Sequence, residues 1–225
     1  MGRNTKVIEL FGVPACGKTT LKKYLCNAET CLTFGENKSK IPFFRIITCV
    51  PLNLIFFAIL VKLQSKKYGH LFDVYTYRWI RFIVRLTYTV KYSQKDYIVV
   101  DHGFVQSIVS FEHGINLLDD VAFEKKVKKL ISLVLKNFSI QFVHCDVDVA
   151  VAVQRIVARN RPSGRLDVIT DKTRLVKEYI FEKQQYESLE KIICEMKGGC
   201  MVLNMDGHVN AVAKNLCLKL GMEFL

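Results

Sequence analysis

Residues 12–19 read Gly-Val-Pro-Ala-Cys-Gly-Lys-Thr, a G-x-x-x-x-G-K-[ST] spacing that leaves few folds open to the chain. A polyphosphate needs many donors at close range. A glycine-bearing loop can turn successive backbone N–H groups inward, and a helix that follows adds the positive end of its dipole. Gly12 and Gly17 supply the backbone freedom, and Val13, Pro14, Ala15 and Cys16 complete the cradle. Lys18 can reach the β- and γ-phosphates, the Thr19 hydroxyl can ligate Mg²⁺, and Thr20 begins the helix. The pattern carries this meaning only between a strand and a helix. Val7–Phe11 is an apolar run of strand length, and Leu21, Tyr24 and Leu25 recur at helical spacing. The expectation is a loop that holds the phosphates of ATP.

Further apolar runs extend the pattern. Strands are expected at 6–11, 31–35, 97–101, 140–145 and 200–204, separated by helices that include 121–138, 172–196 and 209–220. Alternating strands and helices imply an α/β fold, with a five-stranded parallel sheet and helices on both faces. The ligand site is then expected at the carboxyl ends of the strands. The third strand ends on Asp101, which would share that edge with the phosphate loop. Asp101 could hold Mg²⁺ or take the proton from an attacking hydroxyl; alternatively it merely caps the next helix. His102 beside it is a candidate substrate contact. Arg155 and Arg159 are four apart on a helix, and Arg161 and Arg165 follow in a loop with Pro162, Ser163 and Gly164. Arginine forks on a closing segment over 158–172 suit the charge that spreads over a transferred phosphoryl group.

Charge narrows the partners. The chain of 225 residues has a formal net charge of +12. Residues 38–95 hold eleven Lys or Arg against one acid, Asp73, so 11 − 1 = +10 of it lies there. An anionic partner is expected for that segment. The eight cysteines form no C-x-x-C pair and read as small buried residues of a reducing cytoplasm. Cys16 is the exception, because it sits beside Lys18 at a helix N-terminus. The opening Met-Gly-Arg-Asn-Thr-Lys lacks the Ser or Thr of a myristoylation signal at Lys6.

With the loop at 12–19, the strand ending at Asp101, the stretch Val147–Arg161 and the closing Val202–Leu216, the chain resembles the nucleoside monophosphate kinase-like P-loop family. Thymidylate kinases are the most similar. The resemblance implies that Arg155, Arg159 and Arg165 clamp phosphates and that Asp206 and Gly207 lie near the adenine. It covers the chain apart from residues 36–95. His102 stands where thymidylate kinases typically carry an arginine, and the nucleobase-holding helices give way to a basic, apolar insertion. The sequence is also similar to P-loop proteins encoded among bacterial surface-polysaccharide genes, which carry Asp-x-Gly after the third strand.

Within the insertion, residues 41–67 are apolar enough to suggest a membrane span, with Lys62, Lys66 and Lys67 at one end. A single crossing would put Lys18 on one side and Asp101 on the other, which divides the phosphate site. An interfacial segment on the inner membrane surface stays open. Residues 74–92 carry Arg78, Arg81 and Arg85 along one helix, with Tyr75, Trp79 and Tyr88 nearby. They could bind an anionic acceptor, lie on a membrane, or form the solvated face of a core helix.

The expected function is therefore a single-domain, cytoplasmic, ATP- and Mg²⁺-dependent kinase acting on a small or lipid-linked acceptor. The alternative is a nucleotide-dependent membrane- or partner-binding module with slow hydrolysis. Nucleic acid is disfavoured as a partner, and a homodimer is compatible with the sequence.

Overall fold

A computed structural model describes residues 5–27, 30–34, 71–111, 121–159, 166–196 and 199–222. The side chains of 71–80, 110–111, 121–123 and 126 lie outside that description. So do segment 41–67, Arg161, Arg165 and the side chain of Arg78.

Five strands form one parallel sheet in the order β2-β3-β1-β4-β5: β1 Lys6–Phe11, β2 Cys31–Thr33, β3 Tyr97–Val100, β4 Ile140–Asp146 and β5 Cys200–Asn204. Seven helices are described: α1 Lys18–Leu25, α2 Leu71–Tyr92, α3 Phe104–Phe111, α4 Val121–Asn137, α5 Val149–Arg159, α6 Lys172–Cys194 and α7 Val209–Leu220. The strands read as continuous apolar runs because both faces of the sheet are covered. Val7, Leu10, Ile98, Val99, Phe142 and Val143 are buried on β1, β3 and β4.

All five expected strands are present, two of them shorter than their apolar runs. β2 stops at Thr33, and β3 stops at Val100 so that Asp101 stands just past its end. Right-handed crossovers explain the layering. The connection from β1 to β2 passes over β3 and carries α1, on which α7 packs. The connections toward β4 and β5 run the other way and place α3 and α6 together on the opposite face. Strand order reverses around β1, so the crevice above its carboxyl end lies between β3 and β4. That switch point is where α/β sheets receive ligands.

One residue of the central strand breaks the apolar rule. Glu9, on β1, is 0% exposed, and its register partners are Val100 and Phe142. A polar residue of β4 is buried as well. His144 stacks on Phe11 at 4.9 Å between centroids and is paired with Glu190 of α6. Asp171 caps α6, accepting the Arg174 N–H at 2.7 Å.

Candidate active site

The chain leaves β1 through Gly12, whose φ of +139° lies in the region that favours glycine. A Cβ there would stand 2.5 Å from the Cys145 carbonyl oxygen on β4, so the loop passes too close to the neighbouring strand for any side chain. Gly17 (φ +98°) supplies the second turn. Ala15 also has a positive φ, 65°, without being glycine. Such a conformation costs an L-residue about 1–2 kcal/mol, and it leaves the loop over-determined by its surroundings. Gly17 precedes α1, which has no side-chain cap. The first N–H groups of α1 therefore face the loop's hollow as donors for an anion.

Lys18 is buried at the base of this hollow. Its Nζ donates to the Gly12 carbonyl at 2.6 Å and the Val13 carbonyl at 2.8 Å, and lies 3.4 Å from Cys16 Sγ. The Cys16 thiol is held well below the usual range, first by the hydrogen bond from the Cys145 thiol and then by Lys18, against the opposing effect of burial. Thr19 Oγ1 donates to Asp101 Oδ2 at 3.4 Å, and Lys22 Nζ pairs with the same oxygen at 3.0 Å. Lys22 is absent from the sequence-level candidates. The available signal was its spacing, three residues beyond Thr19 on the same face of α1.

A hydroxyl and a carboxylate meeting at one point are hard oxygen donors suited to Mg²⁺. That ion keeps several waters and takes its other ligands from phosphate oxygens. Thr19 and Asp101 would hold it. Among the described residues no cluster of three or more His, Cys, Asp or Glu exists that could hold a metal in an all-protein cage.

On the other side of the loop, Ala15, Gly17, Thr20, Arg155, Arg159 and Val209 surround a cavity of ≈ 330 Å³. Arg155 is anchored, its Nη2 donating to the Met205 carbonyl at 3.0 Å. Arg159 is exposed at the end of α5. Asp206 Oδ1 accepts the Asp148 N–H at 2.7 Å, tying the turn after β5 to the turn after β4. Gly207 is in the same turn, and a Cβ on it would meet nothing within 4 Å.

Just past β2, Phe34 packs edge-on against Phe82 of α2, and Phe82 edge-on against Phe104 at the start of α3. Arg85 lies over the Phe34 ring, 5.9 Å from its centroid, and Arg81 is exposed. His102 is exposed at the turn. Loss of water around its ring lowers its pKa, with Lys18 and Lys22 acting in the same direction and Asp101 against them. Lys18, Thr19 and Asp101 gather at the phosphate loop, Arg155 and Arg159 line the cavity beside it, and Asp206 and Gly207 lie in the turn after β5.

No family model matches this chain, and no curated protein matches it. Solved structures do. A deoxyadenosine kinase from M. mycoides, solved with its products dCMP and a flexible dCDP, aligns with a TM-score of 0.57 at 15% identity, over 96% of this chain and 98% of that one. The fold is that of a P-loop kinase. Two further structures of the same enzyme, with dCTP or dATP bound, each align at a TM-score of 0.53 over 96% of this chain, at 15% and 16% identity. The P-loop kinase fold accounts for the strand order and for the loop after β1. The finer likeness to thymidylate kinases is carried by sequence motifs alone. Among the described residues, no helix is long and apolar enough to cross a membrane.

Proposed function

We propose that this chain is a kinase that transfers the γ-phosphoryl group of Mg-ATP to a hydroxyl of a nucleoside-like acceptor. The observation that carries this reading is the meeting of Thr19, Asp101 and Lys22 at the mouth of an uncapped helix, next to the buried Lys18. Cation, hydroxyl and carboxylate there share one point on the sheet edge. The loop N–H groups and α1 bind the phosphate chain, and Lys18 exchanges its carbonyl partners for phosphate oxygens. Mg²⁺, when bound at Thr19 and Asp101, neutralises phosphate charge. Asp101 accepts the proton of the attacking hydroxyl or orients the hydroxyl, and Lys22 pairs with its carboxylate. Arg155, Arg159 and Arg165 meet the charge of the transferred group. The base of ATP lies in the cavity beside Val209, towards the turn that carries Asp206 and Gly207.

Two features favour a nucleoside hydroxyl over a phosphate as acceptor. Phe34 and Phe82 offer aromatic surface beside Asp101, with Arg85 next to them, which suits a planar base. His102 follows Asp101, and the loss of water around its ring disfavours the charged imidazole that an acceptor phosphate would need. The solved neighbours, enzymes of deoxyadenosine phosphorylation by name, support the same choice.

Incubation of the protein with γ-labelled ATP, Mg²⁺ and a panel of nucleosides, followed by partition into organic and aqueous phases, tests this. Lys18→Ala is the control. Label on a nucleoside is the expected result. Lys18-dependent label in the organic phase, from a lipid extract added to the panel, would replace the nucleoside by a lipid-linked acceptor. Label recovered only as free phosphate would overturn the kinase reading.

A further inference from the structure

Glu9 is a carboxylate in the middle of the central strand, three residues before the phosphate loop begins. The Val105 N–H donates to its Oε1 at 2.6 Å, and the N–H groups of Phe104 and Gln106 also point at the carboxylate. These are first-turn donors of α3, which an α-helix cannot satisfy within itself. A side chain from another strand thus performs the capping that a local residue usually provides. Oε2 has no hydrogen-bond partner among the described residues.

Gly103 completes the arrangement. It is buried, and a Cβ on it would lie 2.4–2.7 Å from the carboxyl carbon and both oxygens of Glu9. Any larger residue would force the carboxylate away from α3. Gly103 is two residues beyond Asp101. The contact therefore joins the strand that carries the phosphate loop to the turn that carries the candidate metal and proton group.

We propose that Glu9 and Gly103 form a positioning lock for Asp101, holding the turn between β3 and α3 so that its carboxylate faces Thr19 and Lys22. The lock rests on the kinase reading for its consequence and on geometry alone for its existence. Glu9 touches neither nucleotide nor acceptor and acts only through the turn. Asp101 is 3.4 Å from Thr19 Oγ1, the long end of hydrogen bonding, so a small rotation of the turn would part them.

The test compares Glu9→Ala, Glu9→Gln, Gly103→Ala and the double variant Glu9→Ala/Gly103→Ala in the full chain. Three quantities are read: thermal unfolding, binding of a fluorescent ATP analogue with and without Mg²⁺, and kcat with the acceptor found above. Loss of the carboxylate should lower kcat about tenfold to a hundredfold, as misplacement by about an ångström does, with Mg²⁺-free analogue binding changed less than about twofold. The Mg²⁺-dependent tightening of binding should be lost in Glu9→Ala and Gly103→Ala alike. Glu9→Gln keeps shape and one acceptor oxygen, and should recover most of the kcat. In the Glu9→Ala background, Gly103→Ala should cost nothing further, because the methyl group then occupies the space of the missing carboxylate.

A folded Glu9→Ala protein with wild-type kcat and wild-type Mg²⁺ dependence would overturn the lock, as would a Gly103→Ala penalty of equal size in both backgrounds. If Glu9→Ala does not fold, Glu9→Asp carries the same cycle, since the shorter acid also makes room for the methyl group. Wild-type protein that shows no Lys18-dependent transfer, while Mg²⁺-dependent binding still disappears on loss of Glu9, would sink the kinase reading and leave the lock standing.

Discussion

The two corners of the crevice are built differently. At the loop corner, Lys18, Thr19, Lys22 and Asp101 already engage one another or the backbone, and Lys18 and Asp101 are buried. At the arginine corner, Arg155 is held by one bond to Met205 and Asp206 accepts the Asp148 N–H, while Arg159, Asp206 and Gly207 are exposed. The loop corner is organised before a ligand arrives. The arginine corner is the more open of the two. Such a division fits a reaction whose catalysis is mostly positioning, in which late closure excludes water.

Substitutions can break or sharpen this contrast. The largest effect is expected at the loop corner: Lys18→Ala should reduce the initial rate of transfer about a thousandfold, as removal of a preorganised charge stabiliser does. A comparable loss from Arg159→Ala would erase the distinction between the corners.

Next comes the pH dependence of stability. Burial raises the Glu9 carboxyl from 4.5 to about 7, with the α3 N–H groups opposing that rise. An acid whose folded pKa is raised binds its proton more tightly when folded, so this contribution is full below pH 4.5 and is lost as pH climbs through about 7. The loss is at most about 3 kcal/mol by linkage. Unfolding midpoints measured from pH 4.5 to 8 should decline for the wild type, and Glu9→Gln should flatten that decline. An unchanged slope in Glu9→Gln would assign the pH dependence elsewhere.

Gly12→Ala should cost roughly 1–3 kcal/mol in unfolding free energy, from the positive φ and the collision with Cys145 O. It should also weaken nucleotide binding, because the loop must move off β4. The smallest effect is expected from Arg159→Ala: about a tenfold fall in kcat with no shift in the unfolding midpoint, since the guanidinium is exposed and in the proposed mechanism meets only developing charge. Arg155→Ala should differ from it by also lowering the midpoint, because its bond to Met205 ties α5 to the turn after β5.

Much of this architecture was legible in the sequence. The five strands, the loop at 12–19 and the helices at 121–137, 172–194 and 209–220 fall where hydrophobic periodicity places them, within a few residues at their ends. That Asp101 would share an edge with the phosphate loop was legible too, since parallel strands bring their carboxyl ends together. Lys22 and Glu9 were not. Lys22 reads as one more basic residue on the solvent face of a helix, and its partner lies 79 residues away. Glu9 reads as a polar interruption of a strand, although it caps a helix 96 residues later.

By itself the sequence determined which segments are strands and helices and that a phosphate loop follows the first strand. Those properties depend on side-chain period and on glycine spacing, both local. The tertiary structure decided that Ala15 adopts a left-handed conformation, that Lys22 reaches Asp101, and that Glu9 and Gly103 must meet. Each is a contact between elements distant in the chain, or a consequence of one, and such contacts come into being only when the sheet brings β1, β3 and β4 side by side.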